Sequence, residues 1–172
     1  MVRRVMRTGH KADTPSQQTQ IESLADELHD HVEVLETYGY SAVPPLSVLE
    51  GIAVFLAGES DHGILMGWLD KAHRPLNLEP GEVCIYDLNT SQVLLNKLGE
   101  VIVKNKTGSS IKLLQNGDIV ITPSSNRTII NSNVLVNGMI NATGDVVAGS
   151  ISLQNHTHSG VISGPDSTGA PQ

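Results

Sequence analysis

Apolar and polar residues alternate through 31–37, with Val32, Val34 and the aliphatic part of Glu36 on one side and His31, Glu33 and Leu35 on the other. A period of two predicts a strand. Residues 18–24 predict another, and 48–56 a third, largely apolar one. The run Gly58-Glu59-Ser60-Asp61-His62-Gly63 carries turn chemistry, so 64–69 is expected to return as a partner strand. Pro44-Pro45 stops regular structure ahead of the third strand. Val83-Cys84-Ile85-Tyr86 reads as a further, buried strand. Short strands with turns between them predict a small Greek-key barrel of the OB type over 18–88, preceded by an arm at 1–17.

From Ser91 onward the pattern becomes repetitive. Strands are expected at 92–95, 100–104, 110–114, 118–122, 127–131, 133–136, 139–142, 145–148 and 151–153, each carrying Ile, Val or Leu. Gly99, Gly108 and Gly117 recur every nine residues, and Gly138, Gly144 and Gly149 follow at intervals of six and five. Asn116-Gly117 and Asn137-Gly138 supply residues that tolerate positive φ. Asn-Gly is also a hairpin signal, so an antiparallel meander is the competing reading. Against it stand the missing cover for an apolar face and the shortening period. One copy of 89–155 would bury too little to offset its ordering entropy. The expected solution is three copies wound into a tapering, triple-stranded β-helix, which also uses the strand edges. The fold class is therefore all-β.

Composition separates the halves. Tyr38, Tyr40, Phe55, Trp68 and Tyr86 are the aromatics, and none follows Tyr86 in the 172 residues. Net charge is −7, and 22–61 contains many acids without a Lys or Arg. A single-strand-binding barrel needs a basic groove with stacking aromatics, so nucleic acid is excluded as a partner. Arg3, Arg4, Arg7 and Lys11 make the N-terminus basic, which reads as a frayed, solvated arm or as one docking on an acidic partner. Cys84 is the single cysteine, expected to be a small core residue. Residues 1–10 lack the apolar core of a secretory signal, and the longest apolar run, 52–57, is too short to span a bilayer as a helix.

The candidate chemistry is His156-Thr157-His158. In a strand, His156 and His158 share a face. Two imidazoles cannot enclose a metal, but three copies around an axis bring six. Whether the pair is a metal site therefore depends on whether the chain trimerises. His29-Asp30-His31 has the same spacing but reads as surface histidines in a polar turn, and Ser60-Asp61-His62 reads as a turn because consecutive residues cannot form a relay. No catalytic constellation is present, so an enzyme is not expected. A metal hydrolase would need a general base beside the histidines.

Several motifs occur in order: Gly39-Tyr40-Ser41, Val43-Pro44-Pro45, Asp61-His62-Gly63, His73-Arg74-Pro75, Pro80-Gly81-Glu82-Val83 and Tyr86-Asp87. Val101-Ile102-Val103, Gly144-Asp145-Val146-Val147-Ala148-Gly149, the His-x-His pair and Gly169-Ala170-Pro171-Gln172 complete the series. Together they resemble the central baseplate spike of Mu-like contractile-tailed phages, related to the baseplate assembly protein V family. The resemblance implies a homotrimer in the virion's tail baseplate, held by hub or tail-tube proteins through its N-terminal half. It also implies an apex over 156–172, where His156 and His158 of three chains hold iron (Fe2+) on the threefold axis, with calcium or chloride ions as further candidates; six such nitrogens would suit Ni(II) or Co(II) as well and, with no open position, would hold a structural ion. The tip would pierce the host outer membrane. A trimeric receptor- or glycan-binding fibre is the alternative function.

Overall fold

The computed structural model describes residues 1–11, 15–24, 26–56, 62–157, 160 and 164. The chain divides into two compact units, Met1–Thr128 and Ile129–Gln172. Apart from Leu56, which has 3-10 conformation, every regular element among the described residues is a strand.

In the first unit, β1 (Val2–Lys11), β2 (Gln18–Glu22), β3 (Leu28–Val34), β4 (Glu50–Phe55) and β5 (Gly63–Trp68) close into a barrel in the order β1-β2-β3-β5-β4. All pairs are antiparallel except β3 with β5, where Glu33 faces Ile64 and Val34 faces Leu65. This is the five-stranded Greek-key closure expected from the pattern. The arm expected at 1–17 is instead largely strand. Residues 2–6 of β1 pair with β4, residues 6–11 pair with β2, and a register shift after Arg7 bends the strand between its neighbours. Without β1 the other four strands could not close.

Alternation decides what faces inward. Val5, Ile21, Val32, Val34, Ala53, Phe55 and Leu65 form one buried cluster. Thr19 is buried with them, its hydroxyl donating to the Gly9 carbonyl at 2.7 Å. Gly51 marks the tightest approach, since a Cβ there would stand 2.8 Å from Leu65 Cδ1.

After the barrel, β6 (Val83–Tyr86), β7 (Gln92–Leu95), β8 (Val101–Lys104), β9 (Ser110–Leu113) and β10 (Ile119–Thr122) form one antiparallel sheet in the order β10-β9-β8-β7-β6. The meander set aside on sequence grounds is thus what one chain builds over 83–122. The β6 strand, assigned above to the barrel segment, belongs to this sheet. The hairpins repeat every nine residues. Asp87, Asn96 and Asn105 each accept, on Oδ1, the backbone N–H groups two and four residues later. Three residues beyond each of these, and again at 117 and 126, the backbone takes positive φ: Thr90 68°, Gly99 80°, Gly108 95°, Gly117 89° and Asn126 57°. The side-chain oxygen holds the loop, and the left-handed residue turns it back.

Register sets the chemistry of each face. Val83, Leu95, Val101, Leu113 and Ile119 lie in one cross-strand row, and Ile85, Val93, Val103, Ile111 and Ile121 in the next. All ten share one face, because residues two apart point the same way. The opposite face mixes Cys84, Leu94, Ile102, Lys112 and Val120 with Tyr86, Gln92, Lys104, Ser110 and Thr122. Cys84 is half-buried rather than a core residue.

In the second unit, β11 (Val147–Ala148) and β12 (Ile151–Ser152) form a short hairpin. The strands expected over 127–142 do not form in the single chain: no ladder involves these residues among those described. Their side chains stay exposed, with Leu135 at 87% and Met139 at 90%. A strand needs a neighbour for its N–H and C=O groups, and the described residues supply none here.

Candidate metal centre at the C-terminal apex

The approach to the histidine pair is built by the β11–β12 hairpin. Gly149, at φ 63°, turns the chain, and Asp145 fixes the exit by accepting Gln154 N–H on Oδ1 at 3.0 Å. The Ser152 hydroxyl and the backbone N–H groups of Gln154, Val146 and Leu153 hold the Asp145 carboxyl below the usual range. Ser152 Oγ accepts from Asn155 N at 2.9 Å, and Ser152 O accepts from His156 N at 3.0 Å.

This turn orients His156. Its Nδ1 lies 3.1 Å from both the Ser152 and Leu153 carbonyl oxygens. A carbonyl only accepts, so Nδ1 carries the proton and the lone pair of the neutral ring sits on Nε2. Metal-binding histidines are commonly fixed this way, donating one N–H to a carbonyl and coordinating through the other nitrogen. His156 therefore fits a ligand role. His158 lies outside the described residues, as do Ser159 and most of 161–172. Among the described residues of one chain, no three His, Cys, Asp or Glu side chains gather as a metal site. A pair from one chain is incomplete by itself.

The other sequence candidates go elsewhere. His29 is not a surface residue: it is buried, 2.9 Å from Ser23 Oγ through Nε2, with its ring centroid 4.8 Å from that of Phe55. His31 is exposed at φ 58°, with Nδ1 3.1 Å from Gln18 Oε1. The two rings have separate partners and form no centre. Of Ser60-Asp61-His62, only His62 is described, and its carbonyl accepts from Leu56 N at 3.1 Å.

Arg3 and Arg7, unlike Arg4, are structural in a way their charge conceals. Arg3, Val5 and Arg7 share a face of β1. Arg7 is 7% exposed, and its guanidinium donates to the Pro45 carbonyl at 2.6 Å and the Pro44 carbonyl at 3.3 Å, lying 5.1 Å from the Trp68 ring centroid. Arg3 binds Ser23 and Glu27 and covers Phe55. The alternation of Arg3, Val5 and Arg7 was the available signal, read as charge instead of period.

Residues 4–72 match the family described as Bacteriophage Mu Gp45, N-terminal, and residues 150–172 match the GpV Apex motif. The chain is 37% identical over 91 residues to the baseplate puncturing device gp45 of Escherichia phage Mu, covering 53% of this chain and 46% of that protein. It is 32% identical over 143 residues to the Mu-like prophage FluMu protein gp45 of Haemophilus influenzae, covering 83% of this chain and 77% of that one. It thus spans about half the length of the phage Mu relative. The class so defined is an all-β protein with a closed barrel, a hairpin sheet and an Apex motif. The chain belongs to the Mu gp45 family of phage baseplate proteins.

Proposed function

We propose that this chain is the protomer of a homotrimeric central spike in a contractile tail baseplate, a mechanical part and not an enzyme. Its place is the virion, in the tail baseplate. The observation that carries the reading is the ten-residue aliphatic face of the β6–β10 sheet, eight of whose side chains are exposed in the single chain. Burying a face of that size is worth on the order of 10 kcal/mol per chain by area, before association costs. Two further copies would cover it, and would offer strand neighbours to 129–142.

The barrel is the docking end, for hub or tail-tube proteins. With Arg3 and Arg7 committed to packing, its surface offers nucleic acid little. At the apex, His156 and His158 of three chains would hold a metal ion, iron by the family resemblance. An ion held by these histidines would serve a structural role, tying three chain ends together. The tip punctures the host outer membrane on sheath contraction.

One sample tests this. Native mass and metal content are measured on tag-free protein never exposed to chelator. The expected result is a trimer with about one transition-metal ion per three chains. A stable monomer sinks the spike reading, and a metal-free trimer removes the clamp alone.

A further inference from the structure

Because the hairpins alternate, the loops of the β6–β10 sheet collect on two opposite edges. Loops 96–100 and 114–118 lie on one edge beside 79–82, where Lys97 N–H donates to Glu82 Oε1 at 3.1 Å. Loops 87–91, 105–109 and 123–127 lie on the other, where Ser109 Oγ and Ser124 Oγ are 3.0 Å apart.

The two edges carry opposite charge. The first holds Glu79, Glu82, Glu100 and Asp118 against Lys97 alone, and Lys97 is already paired with Glu79. The second holds Lys104, Lys106 and Arg127 against Asp87. Asp87 spends its Oδ1 on its own loop. Among the described residues, Glu100, Asp118, Lys104, Lys106 and Arg127 take part in no ion pair within the chain. The basic edge also contains a hollow of about 490 Å³ lined by Ile111 and Ile121 together with Lys104 and Arg127. The acidic edge offers Leu98, 54% exposed, between Lys97 and Glu100.

We infer that these edges are the two halves of a head-to-tail contact between copies of this chain: the acidic edge of one protomer docks on the basic edge of the next, with Leu98 entering the hollow. This rests on the trimeric reading above and specifies how it closes. A cyclic trimer uses heterologous contacts, in which one patch meets a different patch on the neighbour. Opposite charges on the two edges favour that contact and penalise acidic-on-acidic or basic-on-basic pairing, so they select direction as well as partner.

The test uses the full chain in three variants: Glu100→Lys with Asp118→Lys, Lys106→Glu with Arg127→Glu, and all four together. Mass photometry across protein concentration gives the trimer-dissociation midpoint, and Trp68 emission checks that the barrel is folded. Each single-edge reversal is expected to raise the midpoint by about tenfold or more, and the combined variant to return to within about threefold of the parent. The parent's midpoint should also rise several-fold as NaCl goes from about 0.05 to 0.5 M, a test needing no variant. Single-edge variants as tight as the parent, a combined variant weaker than either, or a midpoint indifferent to salt overturns the edge assignment while leaving the trimer intact. A parent that is monomeric throughout overturns the spike reading itself.

Discussion

Arg7→Ala should destabilise the barrel far more than a substitution in a solvated arm. The change removes two hydrogen bonds from a charged donor to the Pro44 and Pro45 carbonyls and a cation stacked on Trp68. A hydrogen bond involving a charged group is worth roughly 1.5–3 kcal/mol, and the 3.3 Å contact to Pro44 belongs at the weak end. The cation–π contact adds about 0.5–1 kcal/mol, and the lost stem packing adds to that. A loss of about 3 kcal/mol is expected, which at 1–2 kcal/mol per molar urea moves the midpoint by about 2 M. Trp68 is the one tryptophan, so its fluorescence reports the unfolding of the barrel directly. The control is Arg4→Ala on the same strand, whose side chain is 66% exposed and 3.5 Å from Glu50. That pair should contribute less than about 1 kcal/mol. If Arg7→Ala and Arg4→Ala shift the urea midpoint equally, the inward-facing role of Arg7 is wrong.

Three further outcomes follow from the same geometry. The Ser23 hydroxyl foremost, then Arg3, hold the Glu27 carboxyl below the usual range. A depressed carboxylate stabilises the fold above its unfolded pKa and loses that contribution as pH falls through the folded value, so stability should drop below about pH 4.5. Glu27→Gln should flatten that part of a stability–pH curve, and an unchanged curve counts against the network. Ile111→Asp places a charge on the aliphatic face and should convert trimer to monomer by mass, whereas Lys112→Glu on the opposite face should not; equal effects refute the assignment of faces. Thr90 is β-branched at φ 68°, so Thr90→Gly should raise thermal stability by roughly 0.5–1 kcal/mol, in contrast to Gly117→Ala at φ 89°, which should lower it.

Much of this fold could be read from its residues, and the misreadings have physical causes. The strand 92–95 can be read to the residue because its flanking loop residues are unambiguous. β1 is hidden in the sequence because arginine stems can line a barrel while their charges suggest solvent. His29 reads as a surface residue in sequence because its partners Ser23 and Phe55 come from distant or looped positions that no local pattern displays. The hairpin repeat was visible in the glycines, but its full extent needed Thr90 and Asn126, which fill the same backbone position without being glycine. Segments 127–142 keep a strand-like sequence that finds no partner strand among the described residues. The His-x-His motif is plain in the sequence; His156 donates from Nδ1 to two backbone carbonyls, and His158 lies outside the described residues.

The nine-residue hairpin unit imposes a parity rule on the length of this sheet. Each unit hydrogen-bonds only to its neighbours, so units can be gained or lost in evolution as in other one-dimensional arrays. Each unit also reverses the chain. One added or deleted unit would deliver everything downstream to the opposite edge and exchange its loops between acidic and basic sides. Two units restore both. Functional length variants of this sheet should therefore differ in steps of eighteen residues, twice the period set by Asp87, Asn96 and Asn105.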